Sequence, residues 1–172
     1  DIYDVNDNLN TAEKVHKSTT SISLISPNSL LTNQTASNYD KNGTTVVSPQ
    51  VADVKPPLAT IEHPTEKTVK IGAQIKNNYA NSISEVIMLG KIPFEGNTYV
   101  LSGEDLKSTF TTKMTNAGIE VPEALQGKVK VYYSENETPD KDVSKTENAW
   151  KLAEEVENWD NIKTFLIDFQ DE

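Results

Sequence analysis

The sequence predicts a mainly β, antiparallel fold, and three observations carry that expectation. Most apolar runs alternate with period two, the spacing that puts successive side chains on opposite faces of a strand. Those runs are bounded by Asn, Gly or Pro, the residues of turns. Hydrophobic residues make up only 35% of the chain and aromatics 7%, which suits a thin core between sheets better than a large α/β interior.

Residues 1 to 17 are polar and read as a linker or N-terminal segment, and residues 18 to 172 as the β module. From Ser18, Thr20, Ile22 and Leu24 share one parity until Pro27-Asn28 breaks the run, giving a first strand. Leu30-Leu31 leads into N-Y-D-K-N-G, Asn38 to Gly43, whose Asn-Gly pair suits a tight hairpin turn. Thr44 to Val54 is β-branched but holds Pro49, so it is expected at a sheet edge or as two short strands. In K-T-V-K-I-G-A-Q-I-K, Val69, Ile71, Ala73 and Ile75 alternate strictly with polar neighbours. Ser84 to Ile92 is a more continuous apolar strand ending at Pro93.

Residues 102 to 127 read as an insertion with one short helical turn, V-P-E-A-L-Q-G, entered at Pro122 and closed at Gly127; Ser102 is a candidate cap. Val129, Val131 and Tyr133 alternate again, and Thr164 to Phe169 forms a last apolar strand. Between them, Ala149, Leu152, Ala153, Val156 and Trp159 fall near helical spacing. A short strand around Trp150 followed by a helical turn is the preferred reading.

The formal net charge of −10 argues against nucleic acid, which is bound through basic clusters that release counterions. All sixteen basic residues are lysine, so no guanidinium fork is available for bidentate capture of an anion. Cysteine is absent, which removes disulfides, thiolate metal sites and cysteine nucleophiles. No window approaches the roughly 20 apolar residues of a membrane span, so no membrane insertion is expected. His16 and His63 sit in no zinc or triad motif, and the many carboxylates mark no facing pair, so the chain is expected to be non-enzymatic.

Asp1, Asp4, Asn6, Asp7 and Asn8 form an oxygen-rich run of the kind that suits weak calcium binding; a hydrated linker is the commoner role of such a run. As written, D-V-N-D-N is similar to the calcium-binding linker of cadherins. Glu135, Glu137, Asp140 and Asp142 are a second oxygen-rich set, in a loop that also reads as a charged, solubilising hairpin. No other cofactor is expected. Trp150, Trp159, Tyr132 and Tyr133 are candidates for a sugar platform, with core roles favoured for Tyr133 and Trp159; Tyr132, of opposite parity, is expected to be the exposed aromatic.

The blocks M-L-G-K-I-P-F-E-G-N-T-Y-V-L-S-G-E-D-L (Met88 to Leu106) and K-V-K-V-Y-Y-S-E-N-E (Lys128 to Glu137), followed by a later Trp and T-F-L-I-D-F, resemble the immunoglobulin-like repeat domains of Gram-positive bacterial cell-surface, cell-wall-anchored proteins. The resemblance covers roughly residues 45 to 170. It implies an immunoglobulin-like antiparallel β-sandwich with a short helical insertion, secreted to the extracellular surface or cell wall. It implies neighbouring modules of the same surface protein as partners, with an export signal and anchor outside this stretch. The expected function is a stalk, spacer or adhesive-presentation module; the alternative is a domain binding a carbohydrate or a host-matrix ligand. Such modules sometimes carry a Lys–Asn or Lys–Asp isopeptide cross-link, for which a desolvated, neutral lysine is needed. Only Lys67 has an inward parity among the strand lysines, and neither Asn161 nor Asp168 sits in a matching motif, so no cross-link is expected. Thr164 to Phe169 is expected to leave an edge open to self-association.

Overall fold

The computed structural model describes residues 2–4, 16–18, 22–25, 31–39, 45–49, 59–61, 68–76, 85–100 and 102–170. These residues are mainly β. Ten strands run β1 (Ile2–Asp4), β2 (His16–Ser18), β3 (Ile22–Ile25), β4 (Leu31–Tyr39), β5 (Thr45–Pro49), β6 (Ala59–Ile61), β7 (Val69–Lys76), β8 (Val86–Lys91), β9 (Val129–Ser134) and β10 (Thr164–Phe169). Among the described residues helix is confined to single 3-10 turns at Glu123–Leu125, Thr146–Asn148, Ala153–Glu155 and Trp159–Asn161.

Three sheets form, in the orders β2-β1-β6, β5-β4-β7 and β3-β8-β10-β9. In the first, β1 pairs antiparallel with β2 and parallel with β6, so part of the segment expected as a linker is strand. In the second, Tyr39 lies opposite Thr45, which is the hairpin foreseen around the Asn-Gly pair. The turn residues 40–44 lie outside the described residues. Pro49 is the last residue of β5, an edge strand, where proline is tolerated.

The third sheet is wholly antiparallel and carries most of the buried side chains among those described. Its register places Thr164 beside Lys91 and Ser134, and Leu166 beside Leu89 and Tyr132. Phe165 lies beside Gly90 and Tyr133, and Ile167 beside Met88 and Val131. Paired residues share a face, so the first group defines one face and the second the other. Both are covered: Leu89, Lys91, Thr164 and Leu166 are buried on the first, Val86, Met88 and Tyr133 on the second. That double burial is why residues 86 to 92 read as a near-continuous apolar run instead of a clean alternation. Gly90 makes room for its neighbour, because a Cβ there would run into the end of the Phe165 ring.

Two expectations are corrected. The last strand has no open edge: β10 lies between β8 and β9, and β3 covers β8 rather than β10. The alternation of Val129, Val131 and Tyr133 implies one inward parity and equal burial; Tyr133 is buried, but Val129 and Val131, on edge strand β9, are only half-buried. The helical turn expected after Trp150 forms at Ala153–Glu155, but in place of the short strand there is an isolated two-bond bridge between Lys151 and Tyr133. The helical turn expected at V-P-E-A-L-Q-G likewise forms at Glu123–Leu125, with Gly127 at φ +78°.

Candidate functional site

Two loops rise from the Thr164 end of the first face. One follows β8. Asn97 N–H donates to the Phe94 carbonyl (3.1 Å), closing a turn with Gly96 third at φ +80°, the backbone that type II turns reserve for glycine. Asn97, 1% exposed, accepts from the Ser108 hydroxyl (2.7 Å), and its backbone carbonyl accepts from Leu106 N–H (3.0 Å). A second, wider turn projects from this frame: Thr98 bridges Asp105, Tyr99 N–H donates to the Glu104 carbonyl (2.8 Å) and Gly103 N–H to the Tyr99 carbonyl (3.1 Å). Tyr99, where this turn closes, is 45% exposed.

The other loop joins β9 to Trp150 and is tied by its own side chains. Asn136, Asp140 and Asp142 each accept the N–H two residues on, at 2.9, 2.8 and 3.0 Å, forming three Asx turns. Asn148 is buried at their centre. It donates to Asp140 Oδ1 (2.6 Å) and to the Asp142 carbonyl (2.8 Å), and accepts from Asp140 N–H (3.1 Å). Buried Ser134 holds the far end through the Asn148 carbonyl (2.6 Å), and the Trp150 indole donates to the Asp140 carbonyl (2.9 Å). Lys145 Nζ lies 2.6 Å from Asp140 Oδ2. That ammonium, with the Asp142 N–H and Asn148 amide, pulls the Asp140 carboxyl down to about 2. Asp142 is lowered chiefly by the Ser144 hydroxyl, and Lys145 is raised by Asp140.

Between the two loops lies a cavity of about 90 Å³, floored by Leu89, Lys91 and Thr164 and walled by Thr98, Tyr99 and Gly103 on one side and Thr138 and Pro139 on the other. Lys91 is 4% exposed and donates to the Thr98 hydroxyl at 2.8 Å. Burial lowers the pKa of its ammonium, and the Glu137 charge opposes that shift only in part. This corrects the expectation that strand lysines other than Lys67 face solvent. The clue in the sequence is a lysine set between Gly90 and Ile92 in a run covered on both faces.

On the opposite face, Tyr133 is 3% exposed and meets the half-buried Trp159 edge to face at 4.9 Å. Its hydroxyl accepts from Ile119 N–H at 2.9 Å. The aromatics weighed as a sugar platform are therefore divided: Tyr133 and Trp159 pack together, Tyr132 and Trp150 are half-buried, and among the residues whose burial is described the exposed aromatic is Tyr99, not Tyr132.

Of the calcium run, Asp1, Asn6, Asp7 and Asn8 lie outside the described residues, and Asp4 is placed only as the residue of β1 paired with His16. Lys67 and His63 also lie outside them. In the second acidic set, Asp140 and Asp142 are held by their own loop, while Glu135 turns to Lys151 (3.6 Å) and the Asn161 amide (3.5 Å). Among the described residues no three His, Asp or Glu side chains are grouped to hold a metal ion. Asp168 accepts from Gln170 at 2.8 Å. Comparison with protein-family models, curated proteins and solved structures finds no match for this chain.

Proposed function

We propose that this chain is a non-enzymatic, extracellular module, an immunoglobulin-like β-sandwich within a Gram-positive wall-anchored protein, that spaces or presents an adhesive surface. The observation that carries the reading is the use made of its most conspicuous polar residues. Asp140, Asp142, Asn148 and Trp150 are spent on closing one loop, and Tyr133 and Trp159 on packing beside β9. A scaffold so tied keeps a fixed shape without disulfides, and strong acidity keeps neighbouring copies apart. The expected partners are adjoining modules of the same protein. Antibody raised against the purified chain should label intact cells of the producing strain, and brief protease treatment of those cells should remove the label. Labelling that appears only after lysis would refute an extracellular module.

A second reading, a domain for a carbohydrate or matrix ligand, draws on one specific observation: the exposed Tyr99 ring stands at the rim of the Lys91 cavity.

A further inference from the structure

We infer that the cavity between the two loops is a binding site for the N-acetyl group of a neutral aminosugar, with Thr98 and Thr138 meeting the amide and the Tyr99 ring supporting the sugar face. This rests on and sharpens the ligand-binding reading, and leaves the spacer role untouched.

The hydroxyls define the chemistry. Thr98 accepts from the Lys91 ammonium at 2.8 Å, so its own proton is turned away from Lys91, and it meets no acceptor among the described residues. The adjacent ammonium polarises that hydroxyl and strengthens it as a donor. Thr138 is tied through its backbone, whose N–H donates to Asn136 Oδ1 at 2.9 Å, while its exposed hydroxyl has no partner among the described residues and can give or take a bond. Beside them the lining is apolar, with Leu89, Val100 and Pro139. A donor, an acceptor and an apolar wall complement an acetamido group, whose carbonyl accepts, whose N–H donates and whose methyl gains from burial. Charge is disfavoured in both directions. The Thr98 hydroxyl and the Glu137 charge already engage Lys91, so an anion finds no uncommitted ammonium, and a cation is repelled by it.

Size gives the same answer. A water needs on the order of 10–15 Å³ of such space, so about 90 Å³ admits an acetamido group and a few waters but not a whole hexosamine. The sugar ring must lie at the mouth, where Tyr99 is 45% exposed. A pyranose presents a C–H face that packs on an aromatic ring. The site is also preformed. Tyr99 is held by two backbone hydrogen bonds within its turn, Thr98 by its bridge to Asp105 and its bond from Lys91, and Thr138 by its Asx turn, so little ordering is required on binding.

The test is an amide chemical-shift titration of the full chain with N-acetylglucosamine, glucose and acetamide. N-acetylglucosamine is expected to shift Thr98, Gly103, Thr138 and Thr164 saturably. Glucose, which lacks the acetyl group, and acetamide, which lacks the ring, should each act on the same amides at least tenfold more weakly. Thr98→Val should weaken N-acetylglucosamine at least tenfold, Thr98→Ser should keep its affinity, and Tyr99→Ala should bring it down to the level of acetamide. If Thr98→Val does not fold, Thr138→Val decides: that exposed residue is tied through its backbone, and loss of its hydroxyl should weaken the sugar at least threefold. Unmoved pocket amides, glucose or acetamide as tight as N-acetylglucosamine, or unchanged affinity in Thr98→Val, Thr138→Val or Tyr99→Ala would each overturn the inference. Sugar-induced shifts confined to other residues would overturn it too, while sparing the broader ligand-binding reading.

Discussion

Replacing Gly118 with alanine tests the packing of Tyr133 and Trp159 directly. Gly118 has φ +62°, and a Cβ built there stands 2.6 Å from the Tyr133 hydroxyl oxygen and 3.0 and 3.2 Å from two carbons of the Trp159 ring. Alanine in the left-handed region costs about 1–2 kcal/mol through its Cβ. The clash adds to that, because neither neighbour is at liberty to retreat. Tyr133 is 3% exposed and its hydroxyl is bonded to Ile119 N–H, while Trp159 packs against the same ring. Overpacking typically costs about 1–3 kcal/mol, and loss of the Ile119 bond about 1 kcal/mol more. With partial relaxation, the whole effect should be about 3–4 kcal/mol. Gly96→Ala is the control, since Gly96 has φ +80° but nothing within 4 Å of the built Cβ; only the backbone term, about 1–2 kcal/mol, applies there. Urea unfolding followed by tryptophan fluorescence reads both, with Trp159 a reporter at the site. Equal losses in the two variants, at unchanged m-value, would show that Tyr133 and Trp159 do not confine Gly118.

Val131→Asp should destabilise by about 1–3 kcal/mol, because the new carboxylate stands on a half-buried position, whereas Lys130→Gln on the exposed neighbour should cost under about 0.5 kcal/mol; equal midpoints in urea would refute the assignment. The Asp140 carboxyl, depressed to about 2 in the fold, stabilises the loop above its unfolded value near 3.8, and that contribution is lost as pH falls through about 2. Melting temperature should therefore drop more steeply between pH 4 and pH 2 in the wild type than in Asp140→Asn, and parallel curves would count against the Lys145 and Asn148 contacts. Calcium should bind weakly, and only through the N-terminal run; Asp7→Ala with Asn8→Ala should abolish the heat of titration while leaving the melting temperature in chelator unchanged. Deleting the run is the wrong variant, because it removes β1 from its sheet; tight binding that survives the double substitution would refute the assignment.

How much was legible depended on whether the signal was local. β7 and β9 follow from period-two alternation, β8 and β10 from continuous apolar runs, and Pro93 and Gly127 mark where β8 stops and β9 begins, all within a few residues. Strand order did not follow, because β3 reaches β8 from more than sixty positions away and nothing in either segment names its partner. The Asx turns could be suspected from Asn136, Asp140 and Asp142, each bonding two residues on. Asn148 could not, since its role depends on how the loop closes eight residues later. Parity misjudged Lys91 and the two valines for related reasons. Both faces of β8 are covered, so burial there no longer alternates, while the outer side of β9 is open at Val129 and Val131, so the inward parity buys only half-burial.

The two faces of the third sheet show why the cavity lies where it does. At the Thr164 end one face is closed by rings, with Tyr133 against Trp159 and Gly118 pressed beneath them, leaving no room for a ligand. The other is closed by loop backbone, whose N–H and carbonyl groups must be satisfied out of water. Asn97, Ser108, Ser134 and Asn148 do this, and all four are buried. Loops tied by such short polar side chains pack less completely over a sheet than rings do, and the gap between them falls above Lys91. An ammonium in that gap costs desolvation that a Leu at the same position would avoid. Lys91 donates to the Thr98 hydroxyl across that gap, so Lys91→Leu should leave the hydroxyl unmet and lower the urea midpoint even though it removes the desolvation cost; a raised midpoint would show that desolvation is the larger effect.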